Sequence, residues 1–122
     1  MIEDWKHLIE VMNRGVGDLR RAAPEVMKSF ADMARAAHGP AGDAQADGQG
    51  LDAKTRELIA LAIGVSTRCA PCIAYHAEGA ARQGATRTEI AETLATAIYM
   101  GAGPSVMYAA QALEAFDQLK PS

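Results

Sequence analysis

The chain has 122 residues, of which 49% are hydrophobic and 22% charged, and these values fit one ordinary globular domain spanning residues 1–122. The net charge of −3, without a Lys/Arg-rich stripe, argues against a nucleic-acid partner or an anionic membrane surface. Because the acidic N-terminus does not resemble a signal peptide and no stretch reaches the roughly 18–20 apolar residues of a membrane span, we expect a cytoplasmic protein.

Two helices are predicted in the first part of the chain. Residues 2–14 carry apolar side chains at helical spacing, and Gly15 and Gly17 are expected to end or loosen this first helix. Pro24 is placed as a first-turn proline and opens a second helix with an apolar stripe. That helix is predicted to close at His38, before a Gly-Pro pair.

The segment 39–50 is rich in Gly, Ala and Asp and is predicted to be a loop. It separates an N-terminal helical arm, residues 1–38, from a denser core, residues 51–122. Asp52 is a favourable N-cap for the first core helix, whose sequence through Val65 is apolar almost all round. This helix is therefore expected to be largely buried.

Three more helices are predicted in the core. Their expected extents are from Cys69 or Ala70 to Gln83, from a capping box at Thr86-Arg87-Thr88-Glu89 to a Gly-rich break near Gly101, and from about Pro104 to Leu119. No segment shows sustained period-two alternation. We therefore expect an all-α fold of about six helices.

The two cysteines, Cys69 and Cys72, form a Cys-x-x-Cys pair at the predicted start of a helix. A disulfide is disfavoured in a reducing cytoplasm, and one closing so short a loop would constrain the unfolded chain very little. Free N–H groups and the helix dipole favour thiolates at such a position, and two adjacent thiols can store two electrons as a disulfide. The pair is therefore better explained by redox chemistry than by stability.

Two further side chains have positions suited to that chemistry. His76 is four residues after Cys72, so both project from one helix face, where an imidazole can take or return a thiol proton. Glu57 is a carboxylate entering an apolar helix, and a buried carboxylate needs a partner. If the two helices pack as an antiparallel pair, His76 is the candidate partner and the two form a proton relay.

The spacing of Glu57, Cys69, Cys72 and His76 resembles the alkyl hydroperoxidase D-like (AhpD-like) branch of the carboxymuconolactone decarboxylase superfamily. The resemblance covers roughly residues 50–118. It implies an AhpD-like helical bundle that assembles as a homo-oligomer, a trimer or a hexamer. It also implies a thiol peroxidase or disulfide-reductase activity.

In the mechanism implied by this resemblance, Cys72 attacks the peroxide, Cys69 resolves the sulfenic acid as a disulfide, His76 is the base and Glu57 orients it. The implied partners are a hydroperoxide or disulfide substrate and a thiol or lipoyl-type reductant. Pro71 stands where the best-studied members have a histidine between the cysteines, so this chain lacks a second proton shuttle. No organic cofactor is expected, because no glycine-rich phosphate loop follows a strand.

Other interpretations of the same residues stay open. Cys69 and Cys72 are also compatible with small buried hydrophobes, or with a zinc site completed by His76 and Glu57. No second Cys-x-x-Cys or histidine pair supports a metal, so the preferred interpretation has none. A pair that oxidises without turnover would make a redox sensor or adaptor. Glu57 is also compatible with a surface ion pair, and lactone decarboxylation fits poorly because decarboxylase members lack the cysteine pair.

The remaining candidates receive structural interpretations. His7 is expected on a solvated face, and His38 is expected to interact favourably with the dipole at a helix C-terminus. Tyr75 is expected to be packed or interfacial. Several methionines are expected to fill the core or an interface, namely Met27, Met33, Met100 and Met107.

Overall fold

The computed structural model describes residues 2–38 and 50–121, and these residues form six helices and no strand. This confirms the predicted all-α fold. The predicted loop at 39–50 lies, except for its last residue, outside the described residues. The helices are α1 (Trp5–Ala22), α2 (Pro24–His38), α3 (Ala53–Ser66), α4 (Ala70–Arg82), α5 (Arg87–Gly101) and α6 (Gly103–Leu119).

Helix α4 lies at the centre of the bundle and packs against α1, α3 and α6. Its buried face combines Ile73 with several alanines, and small side chains of this kind let neighbouring helix backbones approach closely. Trp5 of α1 is fully buried, so the N-terminal segment contributes to the same core. The first turn of α1 is held by the Asp4 carboxylate, which accepts from the His7 N–H.

The first helix is longer than predicted, because it continues through Gly15 and Gly17 to Ala22. A glycine inside a helix costs only about 0.5–1 kcal/mol relative to Ala, which the buried contacts of α1 offset. The helix ends where Pro24 restricts the preceding residue, and Ala23 leaves the helical region at φ −136° and ψ 65°. Proline, not glycine, therefore sets this boundary.

Helix α3 is less buried than expected. Leu61, Gly64 and Val65 are buried, but Ile59 and Ile63 are 45% and 56% exposed. The reason is that α4, α5 and α6 cover only part of its surface in a single chain. Three of the four methionines that were predicted to fill the core or an interface are also exposed in the single chain, namely Met33, Met100 and Met107.

Within the two described stretches, no helix combines the length and the apolar character needed to cross a bilayer.

Candidate active site

The turn between α3 and α4 places the cysteine pair. Thr67 caps α3, and Arg68 follows in the left-handed region with φ 57°. The Cys69 N–H donates to the Gly64 carbonyl at 3.0 Å and the Arg68 N–H donates to the Val65 carbonyl at 3.2 Å. These two bonds form a Schellman motif, in which glycine usually occupies the position of Arg68. The last turn of α3 therefore fixes the backbone of Cys69.

Cys69 is also the N-cap of α4, as the sequence predicts for a Cys-x-x-Cys at a helix start. Its sulfur accepts a hydrogen bond from the Cys72 N–H at 3.2 Å. The two cysteines are joined by a disulfide, with their Cα atoms 5.2 Å apart, and Pro71 lies in the first turn between them. When the bond is reduced, the backbone N–H groups in the first turn of α4 are available to stabilise a thiolate.

The Glu57 carboxylate of α3 lies against α4 and contacts His76. Glu57 Oε2 accepts from His76 Nδ1 at 2.8 Å, and the two side chains are 18% and 30% exposed. Gly79, one turn beyond His76, faces the same carboxylate, and any Cβ there would overlap it. The contact that the sequence suggested between these two helices is thus present, whereas the catalytic roles of the two side chains stay predictions.

A third side chain, His38, reaches this pair from the end of α2. Its Nε2 lies 4.0 Å from Glu57 Oε1, and its ring centroid is 5.6 Å from that of His76. The neighbouring Ala37 carbonyl accepts from the Arg56 Nη1 at 3.1 Å, which ties the end of α2 to α3. Sequence reasoning gave His38 only an electrostatic role at a helix end, because no spacing pattern links it to the Cys-x-x-Cys motif.

A cavity of about 620 Å³ opens beside these groups, between α2 and α4. Cys72 and His76 line it, whereas Cys69 does not. The rest of the lining is largely apolar and comes from Phe30, Met33, Ala34, Ala37, His38, Pro71 and Tyr75. The second cysteine of the pair and the histidine therefore share one space that a small molecule can enter.

Tyr75 forms part of the same wall and is half-buried, in keeping with the expected packed tyrosine. Its hydroxyl donates to the Asn13 Oδ1 at 2.6 Å, so the ring is tied to α1. Burial raises the pKa of Tyr75 above its ordinary value, with a smaller contribution from the nearby Glu78 carboxylate. The phenol is consequently a neutral hydrogen-bonding group at physiological pH.

The zinc set considered from the sequence is not assembled in this state, because Cys69 and Cys72 are bonded to each other. Instead, His38, Glu57 and His76 each bring one donor atom into a group whose members all lie within 4.8 Å of one another. The side chains that face one another around Glu57 are therefore two imidazoles, not two thiols.

Comparison with known proteins gives related sequences of nearly equal length. The chain is 40% identical to an uncharacterized protein of Cupriavidus necator over 119 residues, covering 98% of both proteins. It is 42% identical to an uncharacterized protein of Haemophilus influenzae over 120 residues, covering 98% of this chain and 99% of that one.

A solved structure agrees with the fold. A carboxymuconolactone decarboxylase family protein from Legionella pneumophila superposes with a TM-score of 0.85 at 40% identity, covering 96% of this chain and 97% of that one. The family model for the carboxymuconolactone decarboxylase family matches residues 24–115. The match begins at Pro24, so it includes α2, which the resemblance seen from the sequence left out. The chain belongs to the carboxymuconolactone decarboxylase family.

Proposed function

We propose that the chain is a thiol oxidoreductase of the AhpD-like type, which cycles Cys69 and Cys72 between dithiol and disulfide while reducing a hydroperoxide or a partner's disulfide. One observation carries the proposal. A cysteine pair able to form a disulfide begins α4, and a histidine held by a carboxylate lines the same cavity as the second cysteine. Hydrolytic or lyase chemistry would not require two adjacent thiols.

The proposed peroxidase reaction has two steps. The Cys72 thiolate attacks the terminal oxygen of ROOH, the O–O bond breaks, and Cys72 becomes a sulfenic acid while RO⁻ takes a proton and leaves as ROH. The Cys69 thiol then attacks the sulfenic sulfur, which releases water and forms the disulfide. An external dithiol, of the thiol or lipoyl type, returns both cysteines to the reduced state by exchange.

The assignment of Cys72 as the attacking sulfur rests on the cavity. Cys72 lines it together with His76, whereas Cys69 is not part of the lining and its sulfur faces the first turn of α4. In the proposed mechanism His76 accepts the thiol proton and delivers it to the leaving alkoxide. Because Glu57 accepts from Nδ1, it would leave Nε2 as the basic nitrogen of that ring.

The roles are tested by mixing fully reduced protein with one equivalent of cumene hydroperoxide and following thiol loss. We expect the wild type to lose two thiols per chain much faster than free cysteine does. Cys72→Ser should abolish the fast phase. Cys69→Ser should keep it but stop at one sulfenic acid per chain, which is trapped by dimedone.

The proton relay is tested in the same assay. His76→Gln is expected to slow the fast phase by roughly a hundredfold, in the range usual for a lost general base. His7→Gln is the matched control, because His7 is an exposed histidine of α1 and should leave the rate unchanged. Thiols that react no faster than free cysteine in the wild type would contradict the peroxidase proposal and leave disulfide exchange.

A redox sensor is the second candidate, and the exposed apolar residues of α5 and α6 favour it. Tyr99, Met100 and Met107 are 84%, 75% and 64% exposed, and such residues are often covered by another subunit. We also propose, as the family resemblance implies, that the chain forms a cytoplasmic homo-oligomer, a trimer or a hexamer, in which such residues would be covered. Sedimentation of reduced and oxidised protein separates the two functions: a mass that changes with redox state supports the sensor, and a constant mass the enzyme.

A further inference from the structure

We propose that His38, Glu57 and His76 form a binding site for one divalent transition-metal ion, with zinc as the ion whose ligand preferences match best. The three side chains come from three helices, α2, α3 and α4, and present one donor atom each within 4.8 Å of the others. No cysteine takes part, so the metal would be bound without either thiol.

The distances fit a zinc ion after a small adjustment. Donor atoms bound at about 2.0–2.2 Å in a tetrahedral site lie roughly 3.3–3.6 Å from one another. The two measured separations lie on either side of that value, at 2.8 Å between Glu57 Oε2 and His76 Nδ1 and at 4.0 Å between Glu57 Oε1 and His38 Nε2. The two separations involve different oxygens of Glu57, and one donor atom of each residue lies within 4.8 Å of the other two, so small shifts of the three side chains would bring three donors onto one ion.

The donor set has the composition of a known class of zinc site. Two imidazoles and one carboxylate are the protein ligands of many catalytic zinc ions, which keep a fourth position open for water or substrate. Here His38 and His76 both line the cavity and Glu57 does not, so the ion would be bound at the edge of the cavity. The single negative charge of Glu57 favours a divalent cation over an anion at this point.

The surroundings hold the donors in place. Gly79 leaves room for the Glu57 carboxylate against α4, where any larger residue would displace it. The Arg56 side chain donates to the Ala37 carbonyl and so fixes the residue next to His38. With exposed fractions of 18% for Glu57, 30% for His76 and 34% for His38, the site is partly enclosed yet open to an ion from solvent.

Metal binding and the proposed proton relay would exclude each other. A metal on His76 Nδ1 replaces the proton that Glu57 accepts, and the neutral ring then carries its proton on Nε2. His76 in that state cannot accept a proton from a thiol. While the metal is bound, the Cys-x-x-Cys pair would therefore lack its base.

The test uses the oxidised full-length protein, in which the disulfide removes both sulfurs as ligands, and titrates it with zinc chloride by calorimetry. We expect one zinc ion per chain. His38→Gln and His76→Gln should each weaken the affinity at least tenfold, whereas His7→Gln should leave it unchanged. Cobalt(II) added to the wild type should give the strong visible absorption bands of a tetrahedral site.

A measurement on the unaltered protein guards against misfolded variants. Zinc should shift the ring proton–nitrogen resonances of His38 and His76 and leave those of His7 in place. Absence of zinc binding to the oxidised wild type, or binding that survives His38→Gln at full strength, would overturn the proposal. Neither result depends on peroxide turnover, so failure of the metal site and failure of the proposed function are distinguishable.

Discussion

The α3–α4 pair and α2 both line the candidate site, but they are packed very differently. In the pair, Ile73 is fully buried, and a Cβ placed on Gly64 would lie 3.3 Å from the Cβ of Cys72. Helix α2 has no buried residue at all, and Val26 and Phe30 are 70% and 58% exposed. The groups proposed for thiol chemistry therefore lie on rigid elements, and most of the cavity wall opposite them lies on a helix without buried side chains.

This difference in packing suits two different roles, a fixed proton relay in the α3–α4 pair and an adaptable cavity wall in α2. A relay that depends on a 2.8 Å contact between Glu57 and His76 needs neighbours that cannot shift, and close-packed helices provide them. A wall that admits substrates or ions of several sizes benefits from few fixed contacts. We therefore expect core substitutions in the α3–α4 pair to change mainly the free energy of unfolding, and substitutions in α2 to change mainly the preference among substrates.

The largest effect is expected in the core of the pair. Ile73→Ala removes a fully buried side chain of α4, and such changes cost about 2–5 kcal/mol of unfolding free energy. Urea denaturation followed by circular dichroism measures the loss. A loss below about 1 kcal/mol would mean that α4 is not the rigid element described here.

A change of rate without a loss of stability is expected at Gly79. Gly79→Ala adds a Cβ that overlaps the Glu57 carboxylate, which has to swing away from His76. Helix propensity offsets part of the cost, so stability should change little, while thiol oxidation should slow roughly tenfold or more.

The control for that variant is Gly15→Ala in α1. A Cβ at Gly15 meets nothing within 4 Å, so this change should raise the unfolding free energy by about 0.5–1 kcal/mol and leave the oxidation rate as it is. Equal rates for Gly79→Ala and the wild type would show that the Glu57 contact does not support the chemistry.

A gain of stability is expected at the turn before the cysteines. Arg68 adopts φ 57° in the position where the equivalent motif at the end of α4 has Gly84, with φ 82°. Arg68→Gly should relieve the left-handed strain and raise the unfolding free energy by up to about 1 kcal/mol, as measured by urea denaturation. A decrease would mean that the arginine side chain makes contacts that outweigh the strain.

The smallest effect is expected in α2. Phe30→Ala should lower the unfolding free energy by less than about 1 kcal/mol, because the ring is 58% exposed. Its influence should appear in the relative oxidation rates with cumene hydroperoxide and hydrogen peroxide. A loss above about 2 kcal/mol that depends on protein concentration would instead show that another subunit covers α2, and the contrast with the pair would then disappear.

Local patterns were sufficient to predict six helices and the start of the thiol helix, but not where the first helix ends. The capping box is formed as predicted, since Thr86 accepts from the Glu89 N–H while the Glu89 side chain accepts from the Thr86 N–H. Cys69 caps α4 because a Schellman turn and a proline leave few other arrangements for the segment. Short-range geometry of this kind is encoded within five or six residues.

Features that depend on distant contacts were not predictable in the same way. His38 meets Glu57 across a separation of nineteen residues, and nothing near either residue marks the meeting. The exposure of Ile59 and Ile63 follows from how many helices surround α3, which the apolar content of α3 alone does not specify. The burial of a helix therefore depends on how many neighbouring helices pack around it, and not on its own sequence alone.

Both backbone polar groups of Cys69, its N–H and its carbonyl, form hydrogen bonds. Its N–H donates to Gly64 as the last bond of one helix, and its carbonyl accepts from the Ile73 N–H at 2.9 Å as the first bond of the next. Opening and closing the disulfide can therefore be accommodated by rotation of two side chains while the chain path stays fixed. The proposed cycling between dithiol and disulfide would then transfer an electron pair with little change in the positions of α3 and α4.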